Sequence, residues 1–167
     1  MQKLILNTEY TRFDSQDELP EDEKNLVKEA REAMKSSYSP YSHFCVGSAI
    51  LLKDGTIVHG SNQENAAYGP SNCAERSAIF AIGSMGKRDQ ITKIAVIARP
   101  ASDLDKAAPI EEEQNGTPCG TCRQVIKEYE ILSGQKIEII CVFNTDRIYR
   151  FHGIDTLLPF GFGPDAL

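Results

Sequence analysis

Residues 44–61 read "FCVGSAILLKDGTIVHGS", and the architecture follows from them. Two runs rich in β-branched and small apolar residues, "FCVGSAILL" and "TIVHGS", flank "KDG". An Asp-Gly step between such runs is a hairpin turn, so the chain contains an antiparallel strand pair. Upstream, "EDEKNLVKEAREAMKSS" at 21–37 places Leu26, Val27, Ala30, Ala33 and Met34 at helical spacing. Its acids gather at the start, where the helix macrodipole favours them. Between that helix and the hairpin, "YSPYSHF" is a turn, because Pro40 biases Ser39 away from helix. Further upstream, residues 3–13 read as a strand and residues 15–20 as a polar break.

Downstream, a second helix is expected over residues 71–85, followed by "ITKIAVIA" as a buried strand. Residues 100–117, "PASDLDKAAPIEEEQNGT", have the composition of a long surface loop. A third helix is expected to start near Cys119, then a strand "KIEIICVF", an edge strand "DRIYRF" and a tail of short helix or turn. The order β–α–β–β–α–β–α–β–β predicts an α/β protein with a mixed sheet sandwiched by helices.

With 167 residues, the chain is long enough for one domain with a buried core. An apolar fraction of 41% and a charged fraction of 25% are those of a globular protein. No apolar run is long enough to cross a bilayer, and the start "MQKLILNTEYTRFD" carries no cleavage site, so neither a membrane nor an export signal is expected. Five cysteines in such a chain point to reduced thiols and a cytoplasmic setting. A formal charge of −6 argues against a nucleic-acid partner, whose phosphates need Lys and Arg.

The chemistry is concentrated in "NCAERS" at 72–77 and "PCGTCR" at 118–123. Cys119 and Cys122 suit the first turn of a helix, where unpaired N–H groups and the positive dipole end stabilise thiolates. Cys73 can open the second helix in the same way. Three thiolates from two converging helix starts would hold a zinc ion and leave its fourth position open to water, as in catalytic sites. Glu75, two residues beyond a ligand, is placed to move protons there. A C-x-x-C pair can equally be a redox pair or half of a closed structural site. Closure would need Cys45, Cys141, His43, His59 or His152 as fourth ligand. Cys45 and Cys141 read better as core thiols, and the histidines stand singly.

The blocks "SPYSHFCVGSAIL", "GSNQENAAYGPSNCAERSAI", "PCGTCRQVI" and "LLPFGFGPDAL" resemble the homotetrameric zinc-dependent cytidine deaminases, in order from about residue 33 to the end. The resemblance implies a three-layer α/β/α fold with a mixed five-stranded sheet, residues 21–167 forming one catalytic domain after a 1–20 extension. It implies zinc on Cys73, Cys119 and Cys122, Glu75 as general acid/base, and Arg76 hydrogen-bonded to the thiolates. Arg123 is read either as a second such group or as a surface arginine. The family uses the equivalents of Asn62 and Glu64 for the ribose hydroxyls and the backbone near Ala66 for the base. Phe44, Tyr68 and Phe162 match aromatics lining the pyrimidine, Phe162 from a neighbouring subunit. Departures are "GPSN" before Cys73, Cys45 after Phe44, the long acidic 100–117 loop, and the extra N-terminal segment.

The implied activity is hydrolytic deamination of cytidine and deoxycytidine in pyrimidine salvage. Deamination of a modified nucleoside such as blasticidin S is the sister alternative, and "NQEN" favours the plain nucleosides. A non-catalytic zinc or polynucleotide-binding module is a third reading. The acidic charge and Glu75 count against it.

Overall fold

Alternation along the central strands divides the core into two halves. Ile50, Leu52, Ile94, Val96, Ile139 and Cys141 are buried on one side of the sheet, and Ala49, Ala95, Ile97, Ile140 and Val142 on the other. The computed structural model describes residues 1–164 and 167. Its main elements are β1 (Thr11–Phe13), α1 (Glu21–Met34), β2 (Phe44–Leu52), β3 (Ile57–Ser61), α2 (Ala74–Ser84), β4 (Ile91–Pro100), α3 (Gly120–Ser133), β5 (Glu138–Val142) and β6 (Ile148–His152). Helix α1 covers one face through Leu26, Val27, Ala30 and Met34, while α2 and α3 cover the other through Ala78, Ile79, Ile82 and Ile126. This is the expected three-layer α/β/α arrangement. Each of these fully buried Leu and Ile side chains contributes about 1.5–3 kcal/mol.

The sheet has six strands in the order β1-β6-β5-β4-β2-β3, one more than expected. The sixth is β1, whose Thr11–Phe13 pairs antiparallel with Ile148–Arg150 of β6. The predicted 3–13 strand is thus only its last three residues, because Leu4, Ile5 and Leu6 are exposed with no partner strand. By the same pairing β6 lies inside the sheet between β1 and β5, not at its edge. Helix α1 ends at Met34, three residues short of the expected end. The end of the tail motif, residues 165–166, lies outside the described residues.

The 101–117 connection is long, as its composition suggests, but tied down. The Asn144 side chain accepts from the Gln114 N–H and donates to the Glu112 carbonyl, and Glu113 accepts from Thr145 and Tyr149.

Topology brings the two cysteine segments together. Both β3 and β4 run antiparallel to β2, so they are parallel to each other, and β4 is parallel to β5. The crossovers β3–α2–β4 and β4–α3–β5 therefore start from the same edge of the sheet and lie on the same face. Ligand sites of open α/β sheets form in this crevice, outside the carboxyl ends of the strands. Gly60 allows α2 to come close: a Cβ there would lie 2.2 Å from the Ala74 carbonyl oxygen. Gly47 does the same beneath α1, where a Cβ would meet the Ala30 carbonyl oxygen at 2.1 Å. Among the described residues no helix is long and apolar enough to cross a membrane.

Candidate metal centre and active site

Cys73 and Cys119 are the N-cap residues of α2 and α3, both with extended backbone and neither capping through its side chain, so each sulfur is free to point elsewhere. Cys122 follows in the first turn of α3 and is buried. The three sulfurs lie within 4.8 Å of one another, the only such cluster of potential metal ligands among the described residues. Cys73 Sγ and Cys119 Sγ are 3.9 Å apart, and Cys119 Sγ and Cys122 Sγ 3.5 Å. Tetrahedral zinc with bonds of about 2.3 Å spaces its thiolates about 3.8 Å apart, so the donor set fits that ion in chemistry and in spacing.

Among the described residues no fourth protein ligand joins them. Cys141 is in the core beneath α2 and α3, and Cys45 is buried against Ser39 with its sulfur 3.3 Å from that hydroxyl. His59 pairs with Glu29 and His152 with Glu138. All five cysteines are free.

The electrostatics follow from burial and from the contacts of the thiols with one another and with Arg76. A hydrogen bond from Cys122 holds the Cys73 thiol down to about 5, and Arg76 helps. That bond and burial push Cys122 up, with Glu75 adding to the rise. Arg76 donates from Nη2 to Cys73 Sγ at 3.5 Å, while its Nε is buried without a partner among the described residues. Glu75, in the first turn of α2, is only 4% exposed. Burial raises its carboxyl to about 7, and the charge on Cys73 adds to this.

Beyond the thiols, the chain from β3 to α2 runs over the surface. Asn62 and Glu64 are half-buried and flank the exposed Gln63, the alternation expected of an extended segment. The Asn62 carboxamide is mostly committed. Oδ1 accepts from the Ser37 hydroxyl at 2.5 Å and the Val46 N–H at 2.8 Å, and Nδ2 donates to the Phe44 carbonyl at 2.9 Å. One N–H therefore remains for a ligand. Glu64 is held through Oε2 by the N–H groups of Tyr41 and Ser42, Oε1 has no hydrogen-bond partner among the described residues, and hydrogen bonds from Ser42 and Tyr41 hold its carboxyl below the ordinary range. Tyr41, Ser42, Glu64, Tyr68 and Ser71 line a cavity of about 310 Å³.

Phe44, Tyr68 and Phe162 are exposed, as is Ala66. None of the three aromatics stacks on another aromatic ring among the described residues, and Tyr68 lines the cavity beside Glu64 whereas Phe44 lines another, with Arg99 and Pro100. A larger cavity, about 570 Å³, opens near the N-terminal ends of β4 and β5, where Lys93 and Arg150 are already paired with the buried Glu23.

Arg123 matches neither of its expected readings. It points back along the loop to Thr117 and Pro118 and across to Leu157, donating to each of them. Sequence reasoning also missed Ser37, Tyr41 and Ser42 as supports of Asn62 and Glu64. These contacts span more than 20 residues, and no local spacing marks them.

A family profile described as "Cytidine and deoxycytidylate deaminase zinc-binding region" matches residues 20–134. A protein named cytidine deaminase from Halalkalibacterium halodurans is 47% identical over 107 residues, covering 64% of this chain and 71% of that one. Another, from Mycobacterium tuberculosis, is 33% identical over 150 residues, 89% of this chain and 96% of its own. Among solved structures, the Burkholderia pseudomallei cytidine deaminase superposes with a TM-score of 0.64 at 36% identity, over 83% of this chain and 97% of that one. The M. tuberculosis enzyme gives 0.63 at 31% identity, over 85% and 98%.

Proposed function

This chain belongs to the zinc-binding cytidine and deoxycytidylate deaminases, and on that premise we propose that it hydrolyses the exocyclic amine of cytidine and deoxycytidine. The reaction consumes one water and yields uridine or deoxyuridine plus ammonia. The observation that carries the reading is three thiols within 4.8 Å of one another beside a carboxyl that is only 4% exposed.

In this reading Cys73, Cys119 and Cys122 hold the zinc. The ion, when bound, supplies the Lewis acidity that makes water a nucleophile near neutral pH. Glu75 takes one proton from the attacking water and delivers it to ring N3, then takes the second from the added hydroxyl and gives it to the amine, which leaves as ammonia. Arg76 offsets part of the negative charge of three thiolates. Asn62, through its remaining N–H, and Glu64, through Oε1, take the sugar hydroxyls, while the backbone at Ala66 meets the base. A carboxylate at that place suits an unphosphorylated sugar, since a phosphate beside it is repelled.

Phe44, Tyr68 and Phe162 complete the pocket around the pyrimidine. Their exposure supports a homotetramer in which Phe162 serves a neighbouring subunit, because large exposed aromatics mark surfaces that another chain covers. Residues 21–167 are the catalytic domain and 1–20 an extension of it. Five free cysteines fit the reducing cytoplasm and a role in pyrimidine salvage.

The test is loss of ultraviolet absorbance on a panel of cytidine, deoxycytidine, cytosine, deoxycytidylate and blasticidin S. Turnover of the first two and not of deoxycytidylate is expected. Turnover of blasticidin S alone would move the assignment to modified nucleosides, and turnover of none would refute it.

A further inference from the structure

Two neighbouring side chains in the first turn of α3 hold the C-terminal tail, and one of them also holds the segment that presents Cys119. Arg123 donates from Nε to the Pro118 carbonyl at 2.7 Å, from Nη2 to the Thr117 hydroxyl at 2.9 Å, and from Nη1 to the Leu157 carbonyl at 2.8 Å. Gln124 donates from Nε2 to the Phe162 carbonyl at 2.9 Å. The Arg123 amide also bonds back to the Cys119 carbonyl at 2.9 Å, the first link of the helix.

Three donors fixed in one plane thus reach two segments about 40 residues apart in the chain. A lysine, with a single charge on a flexible stem, cannot reproduce this fork. The acceptors are two neutral carbonyls and one hydroxyl with no carboxylate among them, so the contact fixes geometry and does not neutralise charge.

We infer that Arg123 is a positioning residue that makes the Cys119 loop and the C-terminal tail one mechanical unit, so that the tail's order depends on the metal loop and the loop's order on the tail. Gln124 serves only the tail. The inference rests on the reading of Cys119 as a zinc ligand for its effect on metal retention, but the clamp itself does not need the metal.

The test is amide hydrogen exchange, zinc release to a chelator and steady-state kinetics on the full chain and on Arg123→Gln, Arg123→Lys, Gln124→Ala and Thr117→Val. In Arg123→Gln, exchange should rise in residues 114–119 and 156–162 together, and zinc should leave about 10-fold faster or more, the usual effect of losing a partner behind the ligands. Arg123→Lys should not rescue either property. Gln124→Ala should raise KM without changing the rate of zinc release. If Arg123→Gln does not fold, Thr117→Val removes one arm and should loosen residues 114–119 by a smaller factor.

Unchanged exchange in these variants, loosening of only one segment in Arg123→Gln, or full rescue by lysine would overturn the inference. A wild-type protein without zinc would instead sink the metal assignment, leaving the exchange data to decide the clamp.

Discussion

Arg76 Nη2 donates to Cys73 Sγ at 3.5 Å, from one turn further along the same helix. The bond places a permanent cation against one of three thiols that would otherwise crowd negative charge around a metal. Its Nε is buried without a partner among the described residues, so the Cys73 contact is the side-chain hydrogen bond the group makes there. Arg76→Ala is therefore expected to weaken zinc binding by about 10–100-fold, measured by competition with a chelator. Unchanged zinc affinity would show that the contact is incidental.

Glu75 should separate metal binding from turnover. Glu75→Gln keeps the shape and removes the proton carrier, so zinc content should stay at the wild-type level. The rate of deamination should fall by at least about 10²–10⁴-fold, the usual contribution of general acid–base catalysis. A variant with near-wild-type turnover would remove Glu75 from the mechanism.

Glu64 carries a prediction about pH. Its carboxyl lies below the ordinary value of 4.5, mainly through the hydrogen bond from Ser42. A depressed pKa means that the charged form is fully present above the ordinary value and is lost only as pH falls through the lower folded value. Glu64→Gln should raise KM for cytidine by about 10–100-fold, the range for a hydrogen bond to a charged group, with Tm unchanged. The ratio of the two KM values should stay close to its neutral value down through the ordinary value of 4.5 and fall only below it. A ratio that has already fallen by about half at the ordinary value of 4.5 would mean that Glu64 titrates normally and that its contacts with Tyr41 and Ser42 are not maintained.

Gly60 links the fold to the site. Added methyl carbon there would meet the Ala74 carbonyl oxygen at 2.2 Å, and Ala74 lies between Cys73 and Glu75. Gly60→Ala should cost about 1–3 kcal/mol of stability through overpacking, visible in chemical denaturation. It should also lower zinc occupancy, because α2 must move away with its ligand. A destabilised protein with full zinc occupancy would show that the site adjusts independently of the helix.

The order of the elements was legible because period-two and helical spacing are local signals, and the pairing of two cysteine segments at helix starts was legible for the same reason. What was not legible depended on distant partners. Residues 4–6 look like a strand, yet they have nothing to pair with. The strand at Ile148–His152 is interior because Thr11–Phe13, more than 130 residues earlier, lies against it. Residues 100–117 have the composition of a surface loop, and composition gives no sign that Asn144, Thr145 and Tyr149 hold it from beyond α3. Arg123 sits beside a thiol in sequence and invites an electrostatic reading, whereas its three donors go to Pro118, Thr117 and Leu157. Spacing finds the residues that act, and long-range hydrogen bonds find those that hold them in place.

The most direct measurement is metal analysis of the purified chain, followed by cytidine turnover after chelation and after zinc is restored. One zinc per chain, loss of deamination on its removal and recovery on its return are expected. Full activity in metal-free protein, or no zinc bound at any stage, would contradict a deaminase built on Cys73, Cys119 and Cys122.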